Sequence, residues 1–332
     1  MRIVVGDIGG THARFAIATL GGERPDIGPM KRYRTREHDG LDAAWARFAE
    51  ECGEPLPQDA ALAVAAPIEG EMLRFMNSDW RIPRFTVADT LGLDRLLLLN
   101  DFGAVAHAVS ILGTDELEPI AGPPALPEDG VVSVLGPGTG LGVALFSRRG
   151  GEVSVIETEA AHIGFAPLDP EEEELSDALI ELYGRASIER IVSGPGLIDI
   201  YRHLGGATEI GPNNAADLWS AAVDGNDAVA AHALDILVRC FGAAAGDISL
   251  AHGAMGVALT GGLANRIAHL LRAPAFAARF TAKGRYRERM QRVPVVLATC
   301  PEPGLLGAAV AFGREWTPNP PRNGEGDRRR RR

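Results

Sequence analysis

The apolar run Leu96 to Leu99 ends in Asn100 and Asp101, and residues Phe102 to Leu112 continue with helical spacing. That order puts a carboxylate at a strand end and a helix start. Transfer of a phosphoryl group to an alcohol needs a carboxylate that takes the hydroxyl proton as attack proceeds, and Asp101 is the candidate. Asn100 beside it carries an amide suited to a sugar hydroxyl. The same dipeptide also reads as an N-cap of the 102–112 helix, which is the simpler reading when it stands alone. A second polar set lies in Glu157-Thr-Glu159-Ala-Ala-His162. Carboxylates and imidazoles accept and donate in one plane, as sugar recognition requires. Glu159 and His162 are three residues apart, close enough to converge in a turn. No cysteine stands near them to make a zinc site. Glu189, in Ser187-Ile-Glu-Arg-Ile, opens a short helix and reads by itself as a cap or a surface charge.

Three glycine-rich stretches carry a different chemistry. Gly6-Asp7-Ile8-Gly9-Gly10-Thr11 falls between two strand-like runs, Arg2 to Asp7 and Arg14 to Thr19. Glycines at such a turn let backbone N–H groups converge on phosphate oxygens, and Thr11 adds a hydroxyl. Asp7 would hold Mg²⁺ directly or through water. Gly136-Pro-Gly138-Thr139-Gly140-Leu-Gly142 repeats the strand, loop and strand arrangement. It does not follow G-x-G-x-x-G, and no G-x-x-x-x-G-K-[ST] string occurs, so neither a dinucleotide fingerprint nor a Walker A loop is present. Two facing glycine hairpins would instead grip a triphosphate from opposite domains. In Leu259-Thr-Gly261-Gly262 a strand runs into a helix, and the missing Cβ atoms let a flat adenine lie on the backbone.

The elements that position these residues alternate between strand and helix. Strands are expected near Met30–Thr35, Ala61–Ala66, Glu71–Met76, Val131–Leu135, Leu141–Phe146, Val153–Glu157, Val257–Thr260 and Pro294–Ala298. Leu41–Glu51, Thr86–Leu91 and Leu305–Phe312 read as helices, and 171–251 as mostly helical. The Pro-, Gly- and acid-rich stretch 113–130 reads as a linker or surface excursion. The pattern predicts two α/β domains with a cleft between them. A net charge of −11 argues against nucleic acid and anionic membranes as partners. Cys52, Cys240 and Cys300 form no disulfide framework or metal knuckle, which fits a reducing cytoplasm. The segment 317–332 is low in complexity and charged, and is expected to be a disordered tail.

The ordered set GDIGGT, LLNDF, GPGTGLG, ETEAAHIGFAP, SIERIVSGPGL, LTGGLANR and PGLLGAA resembles the bacterial glucokinase family. The likeness runs from about Val4 to Gly313. It implies the two-domain actin-like ATPase (ribonuclease H-like) fold, with a small domain of residues 1–112 plus about 303–316 and a large one of 113–302. It further implies a homodimer that phosphorylates glucose at the 6-hydroxyl with ATP and Mg²⁺. Asn100, Asp101, Glu159, His162 and Glu189 would then be the sugar ligands, with Asp101 the base. The nucleotide would lie against Gly6 to Thr11, Gly138 to Gly142, and Gly261-Gly262. A kinase for another hexose, such as mannose or fructose, and a non-catalytic sugar-sensing regulator are the alternatives. Two positions depart from the family pattern. His12 stands where Asn is usual. Ala160-Ala161 replaces a Gly-Gly pair, and its two methyl groups would narrow the sugar pocket or shift its backbone.

Overall fold

Strand β1 (Arg2–Ile8) forms because its side chains alternate between two apolar layers. Val4 and Ile8 join one buried cluster with Phe15, Trp45 and Phe48, while Ile3 and Val5 join another with Leu305, Ala308 and Phe312. A strand buried on both faces lies inside a sheet covered by helices on each side. The computed structural model describes residues 1–66, 68–75, 78–206 and 212–316. These divide into two compact units, one of Met1–Ile111 with the chain from Glu302 onward, the other of Leu112–Pro301. The tail expected at 317–332 lies outside the described residues.

In the first unit β1 is followed by β2 (His12–Thr19), β3 (Asp26–Ile27), β4 (Lys31–Arg34), α1 (Leu41–Cys52), β5 (Asp59–Val64), β6 (Met72–Arg74), β7 (Arg81–Pro83), α2 (Val87–Leu91), β8 (Arg95–Asn100) and α3 (Asp101–Val109). β1 and β2 make the expected antiparallel hairpin, with Ile8 opposite Ala13. The sheet order is β3-β2-β1-β5-β8, and β4 pairs with β2. β1, β5 and β8 run parallel.

The second unit continues with β9 (Leu117–Ala121), β10 (Gly130–Pro137), β11 (Leu141–Arg149), β12 (Glu152–Thr158), α4 (Pro170–Tyr183), α5 (Ile188–Ile191), α6 (Gly194–His203), α7 (Pro212–Asp224), α8 (Ala228–Ala251), β13 (Gly256–Leu259), α9 (Gly261–Arg266), α10 (Ala268–Leu271), α11 (Pro274–Thr281), α12 (Arg287–Met290) and β14 (Val295–Ala298). Its sheet order is β12-β11-β10-β13-β14-β9. The last helix, α13 (Pro303–Trp316), returns to the first unit. It packs so closely on α3 that a Cβ at Gly307 would sit on the Ala104 carbonyl oxygen.

One expectation is corrected. The stretch 113–130 is not a plain excursion, because Leu117–Ala121 pairs antiparallel with β14 as the sheet's edge strand. Pro119 made it read as loop, yet an edge strand tolerates a proline whose missing N–H would have no partner. Helix α8, with 24 residues, is long and apolar enough by composition to cross a membrane. Its composition has another cause, since most of its length is buried in the core of the second unit.

His107 on α3 accepts a hydrogen bond from Arg314 on α13 at 2.9 Å. Burial, and then the Arg314 charge, push its pKa from the ordinary 6.5 down to about 4. The folded chain therefore holds a neutral imidazole that the unfolded chain protonates below about pH 6.5. Stability of the first unit should be complete above that pH and should drain away as pH falls through about 4. The loss is about 3 kcal/mol. Denaturant titrations between pH 4 and 7 should show this slope, and His107→Gln should flatten it. An unchanged slope in the variant would remove His107 as its source.

Candidate active site

The parallel pairing of β1, β5 and β8 sets Ile8, Val64 and Asn100 in one row across the sheet. The turn after β1 and the carboxylate after β8 thus leave the same carboxyl edge, where open α/β sheets place their ligands. Asn100 is the N-cap of α3, its Oδ1 accepting from Phe102 N at 2.8 Å and Gly103 N at 3.2 Å. The capping reading is therefore correct for this oxygen. Asp101 is half-buried in the first turn, and its Oδ1 also accepts from Phe102 N, at 2.9 Å.

The first glycine stretch is shorter as a turn than as a motif. Gly6 and Ile8 belong to β1. A Cβ at Gly6 would lie 2.5 Å from Leu62 Cδ2, so packing against the neighbouring strand accounts for that glycine. Ile8 has its side chain in the core. The turn proper is Gly9, Gly10 and Thr11, closed by Gly9 N–H donating to His12 O at 2.9 Å. Buried Thr35 holds it from β4's end, donating Oγ1–H to Gly10 O at 2.7 Å and N–H to Thr11 O at 3.0 Å. The sequence reading had no place for Thr35, whose contact arises from the β2–β4 pairing.

Asp7 is held by Arg14, Nη1 to Oδ2 at 2.7 Å. Burial pushes its carboxyl above the usual range against the pull of that guanidinium. Arg14 Nε also lies 3.4 Å from Glu302 Oε2, and Arg32 is 3.4 Å from the other oxygen of Glu302. Glu302 has φ +47°, the left-handed backbone that side chains seldom adopt, at the entry to α13. A Cβ at Gly304 would touch Asp7 Cγ at 3.1 Å. Among the described residues no cluster of three or more His, Cys, Asp or Glu can hold a metal by itself. A lone carboxylate still fits Mg²⁺, which keeps most of its waters and binds mainly through substrate phosphates.

In the second unit β10 and β13 run parallel, so the loops after them share one sheet edge. Gly138 N–H donates to Gly140 O at 2.7 Å, shaping the loop, and Thr139 is exposed. Gly261 has φ +92° and faces Pro137 O, while a Cβ at Gly262 would meet open space. These glycines therefore border the same strand end as the 138–140 loop. Glu159, His162 and Glu189 also gather here. His162 Nε2 is 3.5 Å from Glu159 Oε2, and its Nδ1 is 4.0 Å from Glu189 Oε1. Leu141 N–H donates to Glu189 Oε2 at 3.0 Å.

Of the Ala160-Ala161 pair, Ala161 places its methyl in the core of the unit. Residues Ala160–His162 form one 3₁₀ turn without left-handed backbone, so no glycine is required there. Ala161 is buried in the unit's core and Ala160 packs against that core. The Ala161 methyl fills the interior behind the turn, and Ala160 is half-buried beside it.

The glucokinase family model matches residues 4–315. A glucokinase of Zymomonas mobilis subsp. mobilis is 48% identical over 322 residues, which are 96% of this chain and 99% of that protein. The crystal structure of a glucokinase from an Antarctic psychrotroph has a TM-score of 0.81 at 29% identity, covering 94% of this chain and 99% of that one. A ROK family glucokinase from Streptomyces griseus, in complex with glucose and AMPPNP, has a TM-score of 0.63 at 19% identity, covering 95% and 100%. That last likeness bears on fold alone. The chain has the two-domain actin-like ATPase fold of these neighbours.

Proposed function

This chain belongs to the glucokinase family, and we propose that it transfers the γ-phosphoryl group of ATP to the 6-hydroxyl of glucose, giving glucose 6-phosphate. The observation that supports this best is the placing of Asp101 on the same sheet edge as the Gly9–Thr11 turn. In this reaction the first unit supplies the base. Asp101 takes the hydroxyl proton as the sugar oxygen attacks in line, and Asn100 orients the sugar beside it. The second unit supplies Glu159, His162 and Glu189 to the remaining hydroxyls. Backbone N–H groups of Gly10 and Thr11 and of Thr139 and Gly140 bind phosphate oxygens, while those of Gly9 and Gly138 close the two turns. Gly261 and Gly262 give the adenosine a flat face. Gly6 and Ile8 serve by shaping the strand that presents Asp7. Asp7 is the residue that would hold Mg²⁺, directly or through water, and the ion when bound offsets the charge of the β- and γ-phosphates.

The three cysteines are free thiols, consistent with a cytoplasmic setting. We propose a homodimer, which light scattering at the mass of a single chain would contradict. The activity is tested by ADP release over a panel of sugars. Glucose should give the highest kcat/KM, and release without sugar should be slight. Faster turnover of mannose or fructose would reassign the substrate, and sugar-independent hydrolysis would reassign the class.

A further inference from the structure

Glu189 has one carboxylate oxygen in each half of the second unit's site. Oε2 accepts from Leu141 N–H in the glycine loop at 3.0 Å, and Oε1 faces His162 Nδ1 at 4.0 Å. Its side chain is only 26% exposed, against 58% for His162 and 72% for Glu159. It is therefore the most enclosed member of the three. A side chain at Gly140 would displace this carboxylate. The glycine's φ is not left-handed, yet an added Cβ would lie 2.4 Å from Oε2 and 3.1 Å from Cδ of Glu189.

The segment around Glu189 grips both neighbours. Gly194 N–H donates to Gly138 O at 2.7 Å, and a Cβ at Gly194 would approach that oxygen to 3.0 Å. On the other side Ile188 N–H donates to Ile163 O at 3.0 Å, and Ser187 bridges to Gly164. Residues 187–194 thus fasten the loop of 138–141 and the turn of 160–164 to one short piece of chain. A shift of the Glu189 carboxylate moves an anchor of each.

We propose that Glu189 is a positioning residue for the nucleotide loop as well as a sugar ligand, and that through it glucose and nucleotide bind cooperatively. The proposal rests on reading Glu159, His162 and Glu189 as sugar ligands and 138–140 as a phosphate loop. Hydroxyl donors of the hexose fix the carboxylate, the carboxylate fixes Leu141 N–H, and the loop is held in one shape before phosphate arrives. Linkage makes the effect reciprocal between the two ligands, so a loop change that displaces the Glu189 carboxylate should alter sugar affinity even without nucleotide, whereas one that leaves the carboxylate in place should not.

Calorimetric titration of glucose into nucleotide-free protein tests this. Gly140→Ala, which pushes on Glu189, should weaken glucose at least about fivefold, the lower end of ordinary coupling between sites. Gly138→Ala, whose Cβ meets nothing within 4 Å, should leave glucose affinity unchanged. In the converse titration AMPPNP is added without sugar. Glu189→Ala should weaken it by a similar factor, while His162→Ala should not. Thermal melts show whether each variant is folded, and if Gly140→Ala is not, the Glu189→Ala titration decides alone. Unchanged glucose affinity in folded Gly140→Ala, equal weakening by Gly138→Ala, or unchanged AMPPNP affinity in Glu189→Ala would overturn the coupling and leave the kinase reading standing. A wild-type protein that binds no glucose would overturn both.

Discussion

Asp101→Asn is expected to lower kcat by about 10²- to 10⁴-fold, the usual contribution of a general base. Glucose affinity should stay close to the wild-type value. Asparagine keeps the side chain's size and an oxygen for the Phe102 N–H, so the start of α3 survives. The capping of that helix by Asn100 is untouched. What the variant lacks is an acceptor for the 6-hydroxyl proton at the moment of transfer. A fall in kcat with little change in glucose Kd is the pattern of a group that acts in the transition state. Equal losses in affinity and turnover would make Asp101 a binding residue, and near-normal turnover would remove it from the mechanism.

Arg279→Met should destabilise the second unit by about 3–5 kcal/mol, the cost of stranding a buried charge. Glu172 is fully buried, and Arg279 Nη2 meets its Oε2 at 2.6 Å. Arg239 is the other cation near it, 3.5 Å from Oε1. Oε2 also accepts from Leu168 N–H at 2.9 Å, which ties the chain before α4 to the helix. Taking away Arg279 leaves this buried carboxylate with the Leu168 N–H and the longer-range Arg239 as its remaining partners. The double variant Glu172→Gln/Arg279→Met removes the stranded charge as well, and should recover most of the loss. Urea titrations of the single and double variants measure it. A single-variant loss below about 1 kcal/mol, the scale of a surface pair, would contradict the argument.

How much of this was legible in the residues depends on the distance over which each signal acts. The β1–β2 hairpin and the strand-to-helix junction at Asp101 were readable because their causes are local: apolar alternation, a glycine turn and a helix start. The edge strand 117–121 was hidden by Pro119, since only the partner strand β14 shows that the segment pairs at all. Gly6 read as part of a phosphate turn, and its reason is Leu62, more than fifty positions along the chain. Thr35, Arg14 and Glu302 were not singled out at all. Their roles come from strand pairing and from the return of α13, and nothing in their immediate neighbours announces either. Ala161 misled for a related reason, because sequence does not say which side of a turn a methyl occupies. The short helices between 268 and 290 carry too few turns to display a period.

The central claim is a phosphoryl transfer to one defined oxygen, and the most direct measurement is NMR on the product made from ATP and glucose by the wild-type protein. The phosphorus resonance should couple to the two protons on carbon 6, with ADP formed in equal amount. Phosphate on any other carbon, or free inorganic phosphate with the sugar unchanged, would contradict the account.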